Sequence, residues 1–227
     1  MERSRAGRLL SGVPQGSVLG PLLFLIFIND LDAAAATVEI FKKFADDSKL
    51  EGRVETDVQQ ANLQQALDNM CVWARRWGME FNVKKCKVLH AGHNNLRHIY
   101  LMEGQQLAST EEEVDVGVTT SRNLKPAAQC NKAARTATAV LGQISRAFHY
   151  RDRHIFMGLY NQYVRPHLEF AGPAWSPWQE GDKECLEPVQ KKAVEMVSGL
   201  VARDYEEQLH ELGMTTLEER RHQTDMA

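Results

Sequence analysis

FADDSK, residues Phe44 to Lys49, sets two neighbouring carboxylates, Asp46 and Asp47, between two short runs of β-prone residues. Like charges held side by side repel, so the pair needs a reason. One reason is local: aspartate is common at tight turns because its short side chain bonds nearby backbone. The other is a cation, which would relieve the repulsion and bind where the carboxylates converge. The flanks, VEIFKKFA and SKLEGRV, read as short strands. Val38 to Val54 is therefore expected to form a hairpin with Asp46-Asp47 at its bend. Phe44 is expected to pack beneath the turn and set its angle.

Upstream lies SGVPQGSVLGPLLFLIFINDL, Ser11 to Leu31. Gly12, Pro14, Gly16, Gly20 and Pro21 mark a loop. A helix then starts near Pro21, where a missing N–H costs nothing. It is apolar on every side and is expected to be buried. Asn29 and Asp30 end it, far short of the roughly 20 apolar residues that a membrane helix needs. Asp30 and Asp32 are expected to face away from the hairpin bend. Arg3, Arg5 and Arg8 are not followed directly by a long apolar run, so no signal peptide or transmembrane segment is expected. An intracellular location, nuclear or cytoplasmic, is the reading.

Downstream, Leu63, Leu67, Met70, Cys71, Ala74 and Trp77 recur at helical spacing, which predicts a helix over Asp57 to Trp77 ended by Gly78. MEFNVKKCKVLHAG, Met79 to Gly92, reads as a strand region. A hairpin is expected around Glu103-Gly104, and EEEVDVGVTT, Glu111 to Thr120, gives one more strand. From Pro126 the pattern is helical. Ala133, Ala137, Val140, Leu141, Ile144 and Phe148 share one arc, with Lys132, Arg135 and Arg146 opposite. A second helix is predicted over Arg153 to Val164 and a stiff turn at Pro173 to Pro177. Further helices are expected near Asp182 to Leu200 and Asp204 to Leu212. The fold class is α+β, with a mixed part over 1–122 and a helical part over 123–227.

At 227 residues the chain can form one or two domains with a real core. Its net charge of -3 does not advertise a nucleic-acid binder, but the distribution suggests a basic patch on one element, which the whole-chain charge hides. Between Ser121 and Pro166 the only acid is Asp152, against a series of arginines and lysines, whereas the balance past Glu180 is acidic. The four cysteines are scattered, which fits no zinc ribbon or disulfide framework. Cys86, His90, His93 and His98 lie close together in sequence, without zinc-finger spacing.

Taken in order, these blocks resemble the reverse transcriptases of non-LTR retrotransposons, the jockey and CR1-like LINE elements. GVPQGSVLGPLLFLIFINDL matches the family's motif B and FADDSK its motif C. WGMEFNVKKCKVLH is similar to motif D, and VDVGV stands where the primer-grip strand is expected. LYNQYVRPHLEFAGPAWSP and LEPVQKKA look like the thumb and the segment after it. The resemblance implies a partial polymerase palm, an antiparallel sheet with helices, followed by an all-α thumb. It implies Asp46 and Asp47 as Mg²⁺ ligands in two-metal nucleotidyl transfer. It further implies Lys84 or Lys85 acting on the leaving pyrophosphate, and Pro14, Gln15, Gly16 and Phe44 along the template–dNTP pair. Val116 and Gly117 would lie in the primer grip, and Lys132, Arg135 and Arg146 would contact phosphates. The implied partners are an RNA template, a DNA primer duplex and dNTPs, with no membrane.

One part of the family pattern is not matched. The palm's third carboxylate comes from motif A, which precedes motif B, yet Met1 to Ser11 contain no Asp. The expectation is an RNA-directed DNA polymerase homologue that is inactive as this fragment and binds Mg²⁺ weakly or not at all. The alternatives are a non-catalytic nucleic-acid-binding module or a non-functional translated relic.

Overall fold

The computed structural model describes residues 16–200 and 202–225, which fall into two compact units divided between Glu111 and Glu112. Helices and small two-stranded sheets occur in both, an α+β arrangement.

In the first unit, α1 (Gly20–Phe27) takes Pro21 in its first turn and leads into α2 (Leu31–Ala34). A hairpin follows, β1 (Ile40–Phe44) and β2 (Asp47–Glu51), and then α3 (Asp57–Arg76). Local chemistry sets the ends of α3. Thr56 and Gln59 form a reciprocal capping box at its start, which satisfies two otherwise unpaired N–H groups. Arg75 and Arg76 sit in the last turn, where a cation suits the helix dipole, and Gly78 follows at φ 66°.

The expectation of a buried first helix is corrected. Phe24 and Phe27, with Ile28 and Leu31 beyond them, pack against Met70 and Trp73 of α3. Phe27 meets Trp77 edge to face at 5.4 Å. Leu22, Leu25 and Ile26, on the other side of α1, are more than half exposed. A helix that is apolar all round needs neighbours on several sides, and among the described residues only one stripe is covered.

An adjoining face of α3 packs a second core. Leu67 and Cys71 meet Tyr100, Met102 and Leu107. The strands here are short: β3 (Lys87–Leu89), β4 (Leu101–Met102), β5 (Gln105–Gln106) and β6 (Ala108–Thr110). β4 and β5 form the expected hairpin around Glu103-Gly104, whereas β3 pairs with β6 in parallel. Among the described residues the strands make separate pairs, not one antiparallel sheet. Gln64 fastens β4 to α3, its side-chain amide donating to Leu101 O at 2.8 Å and accepting from Leu101 N at 2.9 Å.

The second unit starts with β7 (Glu112–Asp115) and β8 (Val118–Ser121), paired antiparallel. The single strand expected here is thus a hairpin. Val116 and Gly117 both take positive φ, as a two-residue hairpin turn requires. Next comes α4 (Ala127–Ala147), buried along Cys130, Ala133, Ala137, Leu141 and Ile144. α5 (Arg153–Leu159) continues through a π-helical turn, Tyr160–Val164, into α6 (Arg165–Glu169). The widened turn accommodates Pro166, whose ring would crowd the carbonyl four residues back in a regular helix. The helix therefore runs past the predicted end at Val164.

α7 (Gly172–Trp175) occupies the first part of the predicted stiff turn. α8 (Glu180–Lys183), α9 (Glu187–Glu195), α10 (Tyr205–Leu212) and α11 (Leu217–Asp225) complete the unit. Phe156, Tyr160, Leu168, Leu186 and Val197 fill its core, each large side chain worth about 1.5–3 kcal/mol on burial. Among the described residues no helix is long and apolar enough to cross a membrane.

Candidate metal centre and nucleic-acid interface

The register of the first hairpin decides where its carboxylates stand. Phe44 pairs with Asp47, Lys43 with Ser48 and Phe41 with Leu50, leaving Ala45 and Asp46 as a two-residue loop. Side chains alternate faces along a strand. Phe41, Lys43, Ser48 and Leu50 are half-buried, while Lys42, Phe44, Asp47 and Lys49 are exposed. Phe44 is 63% exposed, so it does not pack beneath the turn. Residues directly opposite across a pair share a face, and Phe44 therefore lies beside Asp47 on the outer one.

Ala45 adopts φ 52°, a left-handed conformation that is uncommon for a residue with a Cβ. It closes the turn and leaves both Asp46 and Asp47 open to solvent. Two exposed carboxylates on adjacent residues fit Mg²⁺, which takes hard oxygens, commonly one or two carboxylates with phosphates and water. Among the described residues no third His, Cys, Asp or Glu joins them to form a metal-holding group.

Two further acids lie nearby in sequence and both are engaged. Asp30 Oδ1 accepts from Trp73 Nε1 at 2.8 Å. Asp32 Oδ1 is 2.8 Å from Lys43 Nζ, on the stem of the hairpin. Asp32 thus reaches the stem of the hairpin and is paired there, on the strand face opposite to that of Asp47. Lys43 also donates to Ile28 O at 2.9 Å, at the end of α1. Sequence reasoning passed over Lys43, because a lysine in a strand looks like any solvated one.

Of the loop residues, Gly16 is exposed at φ 75°, while Pro14 and Gln15 lie outside the described residues. Lys84 and Lys85 are exposed on a turn, not on the predicted strand. Asn82 O accepts from the N–H groups of Lys85 and Cys86, which curls the chain before β3 begins.

In the second unit, Val116 and Gly117 form the tip of the β7–β8 hairpin, and α4 holds it. Thr119 N donates to Gln129 Oε1 at 2.9 Å, and Lys132 Nζ donates to Thr119 Oγ1 at 3.2 Å and Gly117 O at 3.4 Å. A Cβ on Gly117 would stand 3.0 Å from the Phe170 ring, so the close approach adds to the turn's demand for glycine. Lys132, Arg135 and Arg146 are exposed.

The thiols and the histidine cluster provide no competing site among the described residues. Cys130 is fully buried, and burial pushes its thiol up to about 12, which keeps it protonated and inert. His90 is buried and stacked on Tyr100 at 6.5 Å, and burial lowers its pKa.

The family model for reverse transcriptase (RNA-dependent DNA polymerase) matches residues 5–148, a span that includes the hairpin, α3 and α4. The chain belongs to the reverse-transcriptase family. It is 23% identical over 202 residues to the RNA-directed DNA polymerase from mobile element jockey of Drosophila melanogaster. That alignment covers 84% of this chain and 22% of the relative. The jockey polymerase of Drosophila funebris is 32% identical over 131 residues, covering 54% of this chain and 14% of the relative. A probable polymerase from transposon X-element of D. melanogaster is 35% identical over 79 residues, 33% of this chain and 9% of that one. The chain is a reverse-transcriptase homologue of the non-LTR, jockey-like kind and spans about a fifth or less of these relatives. No solved structure matches it significantly.

Proposed function

We propose that this chain supplies the carboxylate pair of a polymerase palm and the helical thumb that follows, for RNA-templated DNA synthesis. The observation that carries the reading is the exposed Asp46-Asp47 pair at a two-residue hairpin bend, inside the residues matched by the family model. Bound there, Mg²⁺ would supply the Lewis acidity that steadies the attacking and leaving oxygens of nucleotidyl transfer. Asp46 and Asp47 would hold it through their carboxylates. Lys43 and Asp32 keep the stem of the hairpin seated against the end of α1. Phe44, on the same face as Asp47, offers a ring against which a nucleotide can lie. Pro14, Gln15 and Gly16 approach the template–dNTP pair, and Lys84 or Lys85 meets the charge that develops on the pyrophosphate.

In this reading residues 1–122 contribute palm and residues 123–227 the helical thumb. Val116 and Gly117 form the primer grip, and Lys132, Arg135 and Arg146 contact the phosphates of an RNA template–DNA primer duplex. The family pattern has three carboxylates, and the described residues bring two together at the bend. The 227-residue chain by itself is therefore expected to add no nucleotides to a primer. Primer extension on an RNA template with Mg²⁺ and dNTPs tests this, and product that vanishes in Asp46→Ala would overturn the inactivity. Mn²⁺ titration followed by electron paramagnetic resonance tests the ion site. Binding unchanged by Asp46→Asn with Asp47→Asn would sink the metal assignment.

The outward cations of α4 favour a second reading, non-catalytic nucleic-acid binding. Filter binding across a salt series measures it, and a flat response would count against it, because phosphate contacts release counterions.

A further inference from the structure

We infer that the groove between α4 and α9 seats the backbone of a nucleic-acid strand, with Lys192 as a phosphate contact that acts together with Arg135. This rests on the nucleic-acid reading above and extends it to an element that the family match does not reach, since that match ends at residue 148. Arg135 enters the groove from α4 and Lys192 from α9, in an open trough of about 450 Å³. Asn131 and Thr138, one turn either side of Arg135, share its face of α4. Pro188 and Val189 provide an apolar floor at the start of α9.

Three observations favour a strand. No acid lines the groove, and neither Arg135 nor Lys192 has an ion-pair partner among the described residues. Two cations brought to one trough repel each other, which an anion between them would reverse. The trough is open to solvent, whereas a small-molecule site encloses most of its ligand. Finally, the α4 face continues past Gly142 to Arg146, which lies fifteen residues beyond Asn131 on the same stripe. Lys191, the neighbour of Lys192, points elsewhere, its ammonium 6.0 Å from the centre of the Tyr205 ring.

That neighbour provides an internal control with identical charge. The full chain is titrated with a short RNA–DNA hybrid of unrelated sequences across a salt series. Lys192→Ala should lower the slope of log affinity against log salt by about 1, and Lys192→Ala with Arg135→Ala by about 2, equally for every sequence. Lys191→Ala should leave the slope near that of the parent. A slope unchanged in Lys192→Ala, or lowered as much in Lys191→Ala, would overturn the groove assignment and leave the wider reading intact. No salt-dependent binding by the parent chain would overturn both. Inorganic triphosphate serves as the competitor for a free polyphosphate: displacement of the hybrid that depends on Lys192 at matched charge would overturn the strand in favour of a small anion.

Discussion

The ammonium of Lys43 stands 2.8 Å from Oδ1 of Asp32 and 2.9 Å from the carbonyl of Ile28, so one side chain ties the acidic hairpin to the end of α1. The two partners are unequal. The Lys43 side chain is 18% exposed and that of Asp32 63%. Losing Lys43 strands a part-buried carbonyl, whereas losing Asp32 removes only a solvent-screened charge. Lys43→Met should destabilise the first unit by about 1–3 kcal/mol, and Asp32→Asn by less than about 1 kcal/mol. Urea unfolding followed by hydrogen exchange of the hairpin amides measures both. Equal losses, or a larger one for Asp32→Asn, would refute the clamp.

Val116 takes φ 46° at the hairpin tip, where a β-branched side chain is strained and asparagine is at ease. Val116→Asn should raise stability by about 1 kcal/mol, read as a higher melting temperature. The same residue is 53% exposed at the proposed primer grip, so the stabilised variant should bind a primer duplex no better than the parent. A lower melting temperature would show that the turn prefers valine for a reason other than its backbone.

His90 links the first unit to pH. Burial is the first cause that lowers its pKa, with the charges of Arg97 and His98 adding to it and Asn95 and Glu111 acting the other way. The unfolded chain then binds the proton more readily than the folded one. His90's contribution is full above the unfolded value of about 6.5 and is lost as pH falls through the lower folded value. Between pH 7.5 and 5, the parent should lose more stability than His90→Phe, which keeps the stack on Tyr100 without a titrating group. Parallel urea midpoints across that range would remove the linkage.

Local signals were legible and tertiary ones were not. The span of α3 could be read from its apolar spacing and its end from Gly78, and the first hairpin from its flanking strands, because periodicity and turns are set by near neighbours. Phe44 was misjudged because the face of a strand residue follows from register, which depends on the two-residue length of the loop. Leu22, Leu25 and Ile26 were misjudged because apolar pattern shows what a helix can bury, not how many neighbours reach it. The motif resemblance made the acidic pair conspicuous, yet Lys43 and Lys192 carried no sequence signal, since a lysine's role depends on what faces it.

Gln190 is fully buried on α9 and joins elements far apart in the chain. It accepts from the Tyr160 hydroxyl at 2.9 Å and donates to the Tyr205 hydroxyl and to Thr215 O, both at 3.0 Å. Glu187 accepts from the Tyr205 hydroxyl at 2.5 Å and from Leu217 N at 3.0 Å. Burial and the Glu187 bond hold the Tyr205 hydroxyl well above its ordinary pKa, so it stays a donor. Gln190→Leu keeps the volume but leaves the Tyr160 hydroxyl and Thr215 carbonyl without partners, each orphan costing about 1–3 kcal/mol. Tyr160→Phe should cost about 1 kcal/mol, because it removes a donor and leaves only an amide oxygen behind. Since the two share one bond, the double variant should lose less than the sum of the singles. Thermal unfolding of all four proteins closes the cycle, and strict additivity would mean that Tyr160 and Gln190 do not act through the bond between them.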